Sequence, residues 1–299
     1  MAAPRPVFTH TAAAGETRTA CEILAAGTGL SKRRVKAAMV KGAAWSRPPG
    51  GKERRLRRAS HRPAPGEALA LYYDASVLAL APPAAECRFD FGRYSVWFKP
   101  PGLLTQGSRF GDHASLLRQA ELHFRPARPA FPVHRLDREA AGLVIVAHDR
   151  GAAGALSRLF ARREVVKRYR AVVRGDPRRG APGGRIAQPL DGKPAVTEFR
   201  VRRFDPETET AEVAITMASG RRHQIRRHFA GIGHPVMGDP LYGEGNKNRC
   251  GLQLAACALT FVCPIRGRPI TLRLEAERRP SVGEQRPDET PPAPAAGGG

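Results

Sequence analysis

Five successive apolar residues, Leu143–Ala147, come shortly after a densely charged segment, His134-Arg135-Leu136-Asp137-Arg138-Glu139. An uninterrupted apolar run of that length fits a strand covered on both faces. In an extended stretch before it, Arg135 and Asp137 project to one side and Leu136 to the other. Other segments read as strands too. Tyr94–Lys99 is aromatic and β-branched. Arg168–Arg174 alternates, with Tyr169, Ala171 and Val173 on one side. Val196–Arg203 and Ala211–Met217 alternate around Asp205-Pro206-Glu207-Thr208, which reads as a hairpin loop. Leu156, Leu159 and Phe160 give a helical stripe. Antiparallel strands with a few inserted helices predict an α+β fold.

The charge balance narrows the partner. Fifty Lys and Arg stand against 27 Asp and Glu, a formal charge of +23. Such a chain repels itself unless its partner is a polyanion, and nucleic acid is the first reading. The plainer alternative is a solvated arginine-rich surface. The five cysteines include no C-x-x-C pair and read as reduced, mostly buried thiols of the cytosol. Neither a signal core nor a stretch of about 18 apolar residues is visible, so a soluble cytoplasmic protein with no membrane partner is expected.

Domain organisation reads as follows. Residues 1–15 are a loose leader and 16–73 a first folded unit. Residues 74–90 are an Ala- and Pro-rich linker, 91–275 a larger domain and 276–299 a disordered tail. In the first unit Ser31 caps a helix over Lys32–Lys41. Leu30 and Val35 form a staple across the cap, Val35 and Met39 are buried, and Gly42 stops the helix. Its exposed face carries Lys32, Arg33, Arg34, Lys36 and Lys41, and Arg54, Arg55, Arg57 and Arg58 follow. After the turn Pro65-Gly66-Glu67, Leu69 and Leu71 alternate like a strand.

Two segments carry candidate chemistry. Asp137 lies beside a buried strand, where an ionised carboxylate needs a cation from elsewhere; alone, an ordinary surface ion pair would be the better reading. The second segment runs from Ser219 to Phe229. Ser219 is expected to cap a helix with Ile225, Phe229 and Ile232 buried, while Arg222 and Arg226 share another face. A helix start dense in arginine suits phosphate. His223 and His228 are five apart without an H-E-x-x-H glutamate, so no metal is expected. His134-Arg135-Leu136-Asp137 shares letters with a kinase loop, but D-F-G and A-P-E are missing.

The motifs together resemble a known family. His134-Arg135-Leu136-Asp137 with Gly142-Leu143 is similar to the H-R-L-D-x-x-T-S-G-L signature of RluA-type pseudouridine synthases. Lys99-Pro100-Pro101-Gly102-Leu103 resembles the family's K-P-x-G-L, and Lys167-Arg168-Tyr169 its K-x-Y. Lys193-Pro194-Ala195-Val196-Thr197-Glu198 is similar to K-x-A-x-T-x-Y. Gly220-Arg221-Arg222-His223-Gln224-Ile225-Arg226 is similar to G-R-x-H-Q-I-R. Gly233–Asp239 with Tyr242-Gly243 resembles G-H-P-I-x-G-D-x-x-Y-G. One departure is Ala140-Ala141, where the family has Thr-Ser; two hydroxyls able to hold the loop are missing. Residues 16–73 resemble the S4 RNA-binding domain through Gly29-Leu30-Ser31-Lys32-Arg33-Arg34-Val35 and Pro65-Gly66-Glu67. They depart from it in a longer Ala43–Gly51 segment.

The resemblance implies a catalytic domain on a mixed, mainly antiparallel sheet, preceded by a small α+β module. It implies an isomerase that breaks the N1–C1′ bond of uridine, turns the uracil and joins C5 to C1′. No redox step occurs and no group leaves, so no cofactor is expected. Asp137 would be the catalytic carboxylate, attacking C1′ or taking a proton from C2′. Arg226 would be its partner, and Tyr169 would pack on the uracil and help remove the C5 proton. A phenol of pKa near 10 is a poor base unless tuned. Arg135 would fill the space left by the flipped base. His134, Arg221, His223, Gln224, Lys32, Arg33, Arg34 and Lys36 complete the expected RNA contacts. The expected partner is structured ribosomal RNA, with tRNA the alternative, bound by a monomer. A non-catalytic RNA-binding factor and a metal-dependent nuclease are the rival readings.

Overall fold

The structure is a computed structural model and describes residues 5–217 and 220–282. The chain divides into two compact units. One holds the residues up to Arg138 together with Val144–Gly154; the other holds Glu139–Leu143 and the residues from Ala155 on.

The first unit begins with strand β1 (Phe8–Thr11), helices α1 (Ala20–Thr28) and α2 (Lys32–Val40), and strands β2 (Ala44–Arg47), β3 (Arg54–Arg55) and β4 (Ala68–Leu71). The strands form one sheet in the order β1-β4-β2-β3. Thr19 and Glu22 close a capping box on α1, and Ser31 accepts from the Arg34 N–H at the start of α2. Ile23, Leu24, Val35, Met39, Leu69 and Leu71 fill the core between helices and sheet. Each such side chain stabilises by about 1.5–3 kcal/mol. Residues 8–11, expected in a loose leader, are therefore a strand: their backbone pairs antiparallel with Ala68–Leu71 and Phe8 packs on that core.

The unit continues through helix α3 (Ala75–Leu78), strands β5 (Glu86–Asp90) and β6 (Tyr94–Lys99), helix α4 (Leu116–His123) and strand β7 (Phe131–Pro132). It then takes in the later part of strand β8 (Ala141–Ala147) and the start of helix α5 (Arg150–Ala161). The expected linker 74–90 is thus partly α3 and β5. Nor does compactness break there. Trp45 donates its indole N–H to the Arg109 carbonyl at 3.0 Å, and Arg55 reaches the Ser108 carbonyl at 2.7 Å. Arg55 and Arg57 both pair with Asp112, at 3.0 and 2.6 Å, and the Arg55 guanidinium lies 4.4 Å over the Trp45 ring. These two arginines tie the β2–β3 hairpin to residues 108–112.

The second unit contains β9 (Val166–Arg174), β10 (Arg185–Ile186), β11 (Thr197–Asp205), β12 (Thr210–Met217), helix α6 (Gln224–Gly231), β13 (Leu254–Val262) and β14 (Pro269–Arg273). Its strands run in the order β10-β11-β12-β9-β13, with β14 on β13. The pairing among these strands is antiparallel, and Ala141 and Gly142 add a parallel contact to Ala255 and Ala256. Ala171, Val173, Val213 and Ile215 pack one face of this sheet under Ile225 and Phe229 of α6. Helix α6 starts at Gln224 with His223 as its N-cap in a left-handed conformation. Ser219, expected as the cap, lies outside the described residues. The expected tail begins with a 3-10 turn at Ala276–Arg278, and its residues from 283 on also lie outside them.

Candidate active site

The loop carrying Asp137 joins β7 to β8 and is fastened at every second step. Leu136 is buried, while Arg135 is exposed and Asp137 half-buried, the alternation its extended sequence predicts. The Thr105 hydroxyl donates to the Leu136 carbonyl at 2.9 Å and accepts from the Leu136 N–H at 3.1 Å. The Arg138 carbonyl accepts from the Gly102 N–H at 2.8 Å and from the Lys99 ammonium at 3.2 Å. Lys99 is wholly buried, and its ammonium also donates to the carbonyls of Leu103 and Pro100. A buried ammonium without acceptors would be costly; three carbonyls satisfy its donors. So the Lys99–Leu103 segment works as a bracket for the Asp137 loop. Ala140 sits in the apolar core of the second unit, at 3% exposure.

His134, expected to contact RNA, uses its Nε2 to accept the Ile145 N–H at 3.1 Å. That bond places the ring proton on Nδ1 and pins the loop entrance to β8. Arg135 remains outward.

The second unit organises Arg226. Its side chain is fully buried, beyond the reach of water. Nε and Nη2 donate to the two carboxylate oxygens of Asp239, both at 2.7 Å, in a bidentate pair. Nη1 reaches Glu139 at 3.4 Å. The guanidinium carbon is 5.3 Å from the centroid of the Tyr242 ring. Burial pushes the Asp239 carboxyl up, but Arg226 and the N–H groups of Leu241 and Tyr242 outweigh it and hold the pKa below the ordinary range. Tyr242 in turn hydrogen-bonds His223 Nδ1 at 3.0 Å. Asp239 was visible in the sequence only as a motif letter. The signal that finds it is physical: an arginine between the buried Ile225 and Phe229 of α6 requires a carboxylate.

Tyr169 lies on β9 opposite Ile215 and Ala256, half-buried against the core under α6. Lys167 is two residues away on the same strand, and burial, with Arg163 nearby, lowers its pKa. Gln224, expected to contact RNA, is instead buried at 3% exposure. Its carbonyl accepts the Arg221 N–H at 3.0 Å, and its amide donates to Val196 and Thr197. It closes the turn before α6. Arg221 is half-buried and donates to the Pro194 carbonyl at 3.3 Å. His228 does not converge with His223; its two nitrogens meet Thr197 and the Gln188 carbonyl. In the N-terminal module Lys32, Arg33, Arg34 and Lys36 are all exposed on α2, with Lys32 paired to Glu22 at 3.0 Å.

The five cysteines are free thiols, three of them buried. Among the described residues no helix is long and apolar enough to cross a membrane.

Comparison with known proteins adds four findings. Residues 93–231 match the family described as RNA pseudouridylate synthase. Dual-specificity RNA pseudouridine synthase RluA of Salmonella typhi is 34% identical over 197 residues, covering 60% of this chain and 87% of its own. Ribosomal large subunit pseudouridine synthase D of Zymomonas mobilis is 32% identical over 174 residues, 50% of this chain and 53% of its own. The solved structure of human RNA pseudouridylate synthase domain containing 1 shares the fold with a TM-score of 0.53 at 23% identity, over 66% of this chain and 86% of its own.

Proposed function

The chain belongs to the RNA pseudouridylate synthase family, and from that membership we propose that Asp137 is the carboxylate with which it isomerises uridine to pseudouridine in RNA. The observation that carries this reading is the loop geometry: Leu136 is anchored from below by Thr105, while the Asp137 side chain keeps partial access to solvent. A carboxylate presented in that way can act on a sugar brought to it, either at C1′ or on the C2′ proton. The N1–C1′ bond breaks and the C5–C1′ bond forms; the proton on C5 leaves and one is returned to N1. Bonds and electrons balance within the substrate, so the reaction as proposed needs no cofactor.

On their motif matches, Tyr169 is assigned the role of the family's uracil-packing tyrosine, and Arg226 that of the arginine that keeps the catalytic carboxylate charged. Arg135, exposed on the same loop, is suited to the gap left when the target base leaves its stack, a step costing a few kcal/mol. The module around α2 acts as an S4-like RNA-binding element. Its four exposed cations would add salt-dependent phosphate contacts. Ribosomal RNA is the proposed substrate, acted on in the cytoplasm by a monomer. The appended basic module supports that choice, and two of the relatives described above carry dual-specificity and ribosomal large subunit names.

The test is Asp137→Asn, which removes the charge and keeps the shape. The variant should bind RNA as before and form no pseudouridine; continued formation would refute the assignment. Mapping pseudouridines in ribosomal RNA and tRNA from cells with and without the gene decides the target.

A further inference from the structure

The sheet of the second unit has two faces, and only one of them is explained by the core under α6. Tyr169, Ala171 and Val173 of β9 point to that core. Arg168 and Arg170 therefore point to the other face. There they meet Arg200 and Arg202 of β11, Arg273 of β14 and Arg279, around a concavity of about 630 Å³.

The pairing register explains why this face is hollow. Arg200 stands opposite Ala214, and Ala214 opposite Arg170. Arg273 stands opposite Ala258, which faces Arg168. Each pair of arginines is thus separated by an intervening strand with alanine at the facing position, at a spacing of roughly 9–10 Å for alternate strands. A break in register between Val201 and Arg203 makes Arg202 the extra residue of a bulge. Small side chains form the floor and guanidinium groups the rim.

The charges on that rim are left largely uncompensated. Arg170 is paired with Glu212 at 2.8 Å, and Arg279 donates to the Leu274 carbonyl. Arg168, Arg200, Arg202 and Arg273 are exposed, and among the described residues none of them is bonded to a carboxylate. Glu198 is the one acidic residue among the lining side chains. Clustered like charges on a concave surface raise the local potential and concentrate an anion.

We propose that this concave sheet face is a second RNA-binding surface. It would hold the sugar–phosphate backbone of a substrate segment other than the one presenting the target uridine. This rests on the reading of the chain as an RNA-modifying enzyme, and it assigns part of the affinity to a face that does not carry the Tyr169 side chain. Arginine suits the task because its planar fork grips phosphate oxygens two at a time.

The test uses the full chain with Arg200→Glu and Arg202→Glu combined. Both positions are exposed, so the fold is expected to survive; circular dichroism and the wild-type melting temperature check this. Binding to purified large-subunit ribosomal RNA should weaken about tenfold near 0.1 M salt, with a shallower dependence of log K on log salt. Binding to a short oligouridylate, unable to reach both faces, should stay the same. The Arg200→Lys, Arg202→Lys pair should retain most of the affinity. Unchanged affinity and salt slope for the long RNA in the folded Glu variant would overturn the proposal. So would an effect of the Glu variant that disappears once residues 283–299 are removed, since that segment would then be the occupant. Wild-type protein that binds RNA but forms no pseudouridine would count against the enzymatic reading alone, and the binding comparison would still decide this face.

Discussion

Thr105 grips Leu136 by both of its backbone polar groups, donating to the carbonyl at 2.9 Å and accepting from the N–H at 3.1 Å. One hydroxyl thus completes the hydrogen bonding of a buried residue beside Asp137. The loop lacks hydroxyls at Ala140 and Ala141, and the hold comes from across the unit instead.

Thr105→Val keeps the volume and removes both bonds, leaving a buried N–H and C=O without that partner. A loss of about 2–3 kcal/mol of stability is expected from the two bonds together. Pseudouridine formation at saturating RNA should slow while KM stays near its wild-type value. Thr105→Ser should recover most of the rate. Equal loss of rate in the Ser and Val variants would show that the hydroxyl is not what positions the loop.

Asp239→Asn leaves Arg226 buried beside a neutral amide, with Glu139 as its more distant carboxylate. Removing one partner of a buried pair costs about 3–5 kcal/mol, readable by urea unfolding. The folded-state pKa of Asp239 is depressed. Its stabilisation is therefore complete above the ordinary carboxylate pKa of about 3.9 and fades as pH falls through the lower, folded-state value. Wild-type stability should decline in that acid window, and the Asn variant should decline less steeply.

Gly142 has φ +126, and a Cβ added there would run into the backbone N and O of Ala256. The parallel pairing of Gly142 with Ala256 leaves no room for a side chain. Gly142→Ala should therefore destabilise by about 3 kcal/mol or more. Thermal melting of the purified variant checks it, and a shift of under a few degrees would contradict the close approach.

Replacing Lys32, Arg33, Arg34 and Lys36 of α2 together by Gln tests the basic module. Each side chain that no longer neutralises a phosphate lowers the slope of log K against log salt by about 0.7–0.9. RNA affinity should fall and the slope flatten, with the melting temperature little changed because all four side chains are exposed. A slope equal to that of the wild type would remove α2 from the RNA-binding surface.

Local patterns were legible where one residue's environment follows from its neighbours in the chain. The helix start at Ser31, the alternation of Leu69 and Leu71, the strand Tyr94–Lys99 and the outward Asp137 beside an inward Leu136 all came from periodicity and capping. Periodicity also marked β9, β11 and β12, within one or two residues at their ends. It misread residues 8–11 as a leader because a short edge strand owes its order to the strand beside it. Gln224, expected at the surface as an RNA contact, is buried, because its type and motif position do not reveal that its amide donates to Val196 and Thr197.

Taken alone, the order of residues decided the chemistry at hand: which side chains are charged, which alternate, and which motifs recur. Tertiary structure alone decided the pairings. Asp239 is 13 residues from Arg226, and Thr105 is 31 from Leu136. Arg55 lies far along the chain from Asp112. The reason is that burial converts a polar side chain into a demand for a partner, while only the folded backbone determines which of the many candidates stands within 3 Å or so of it.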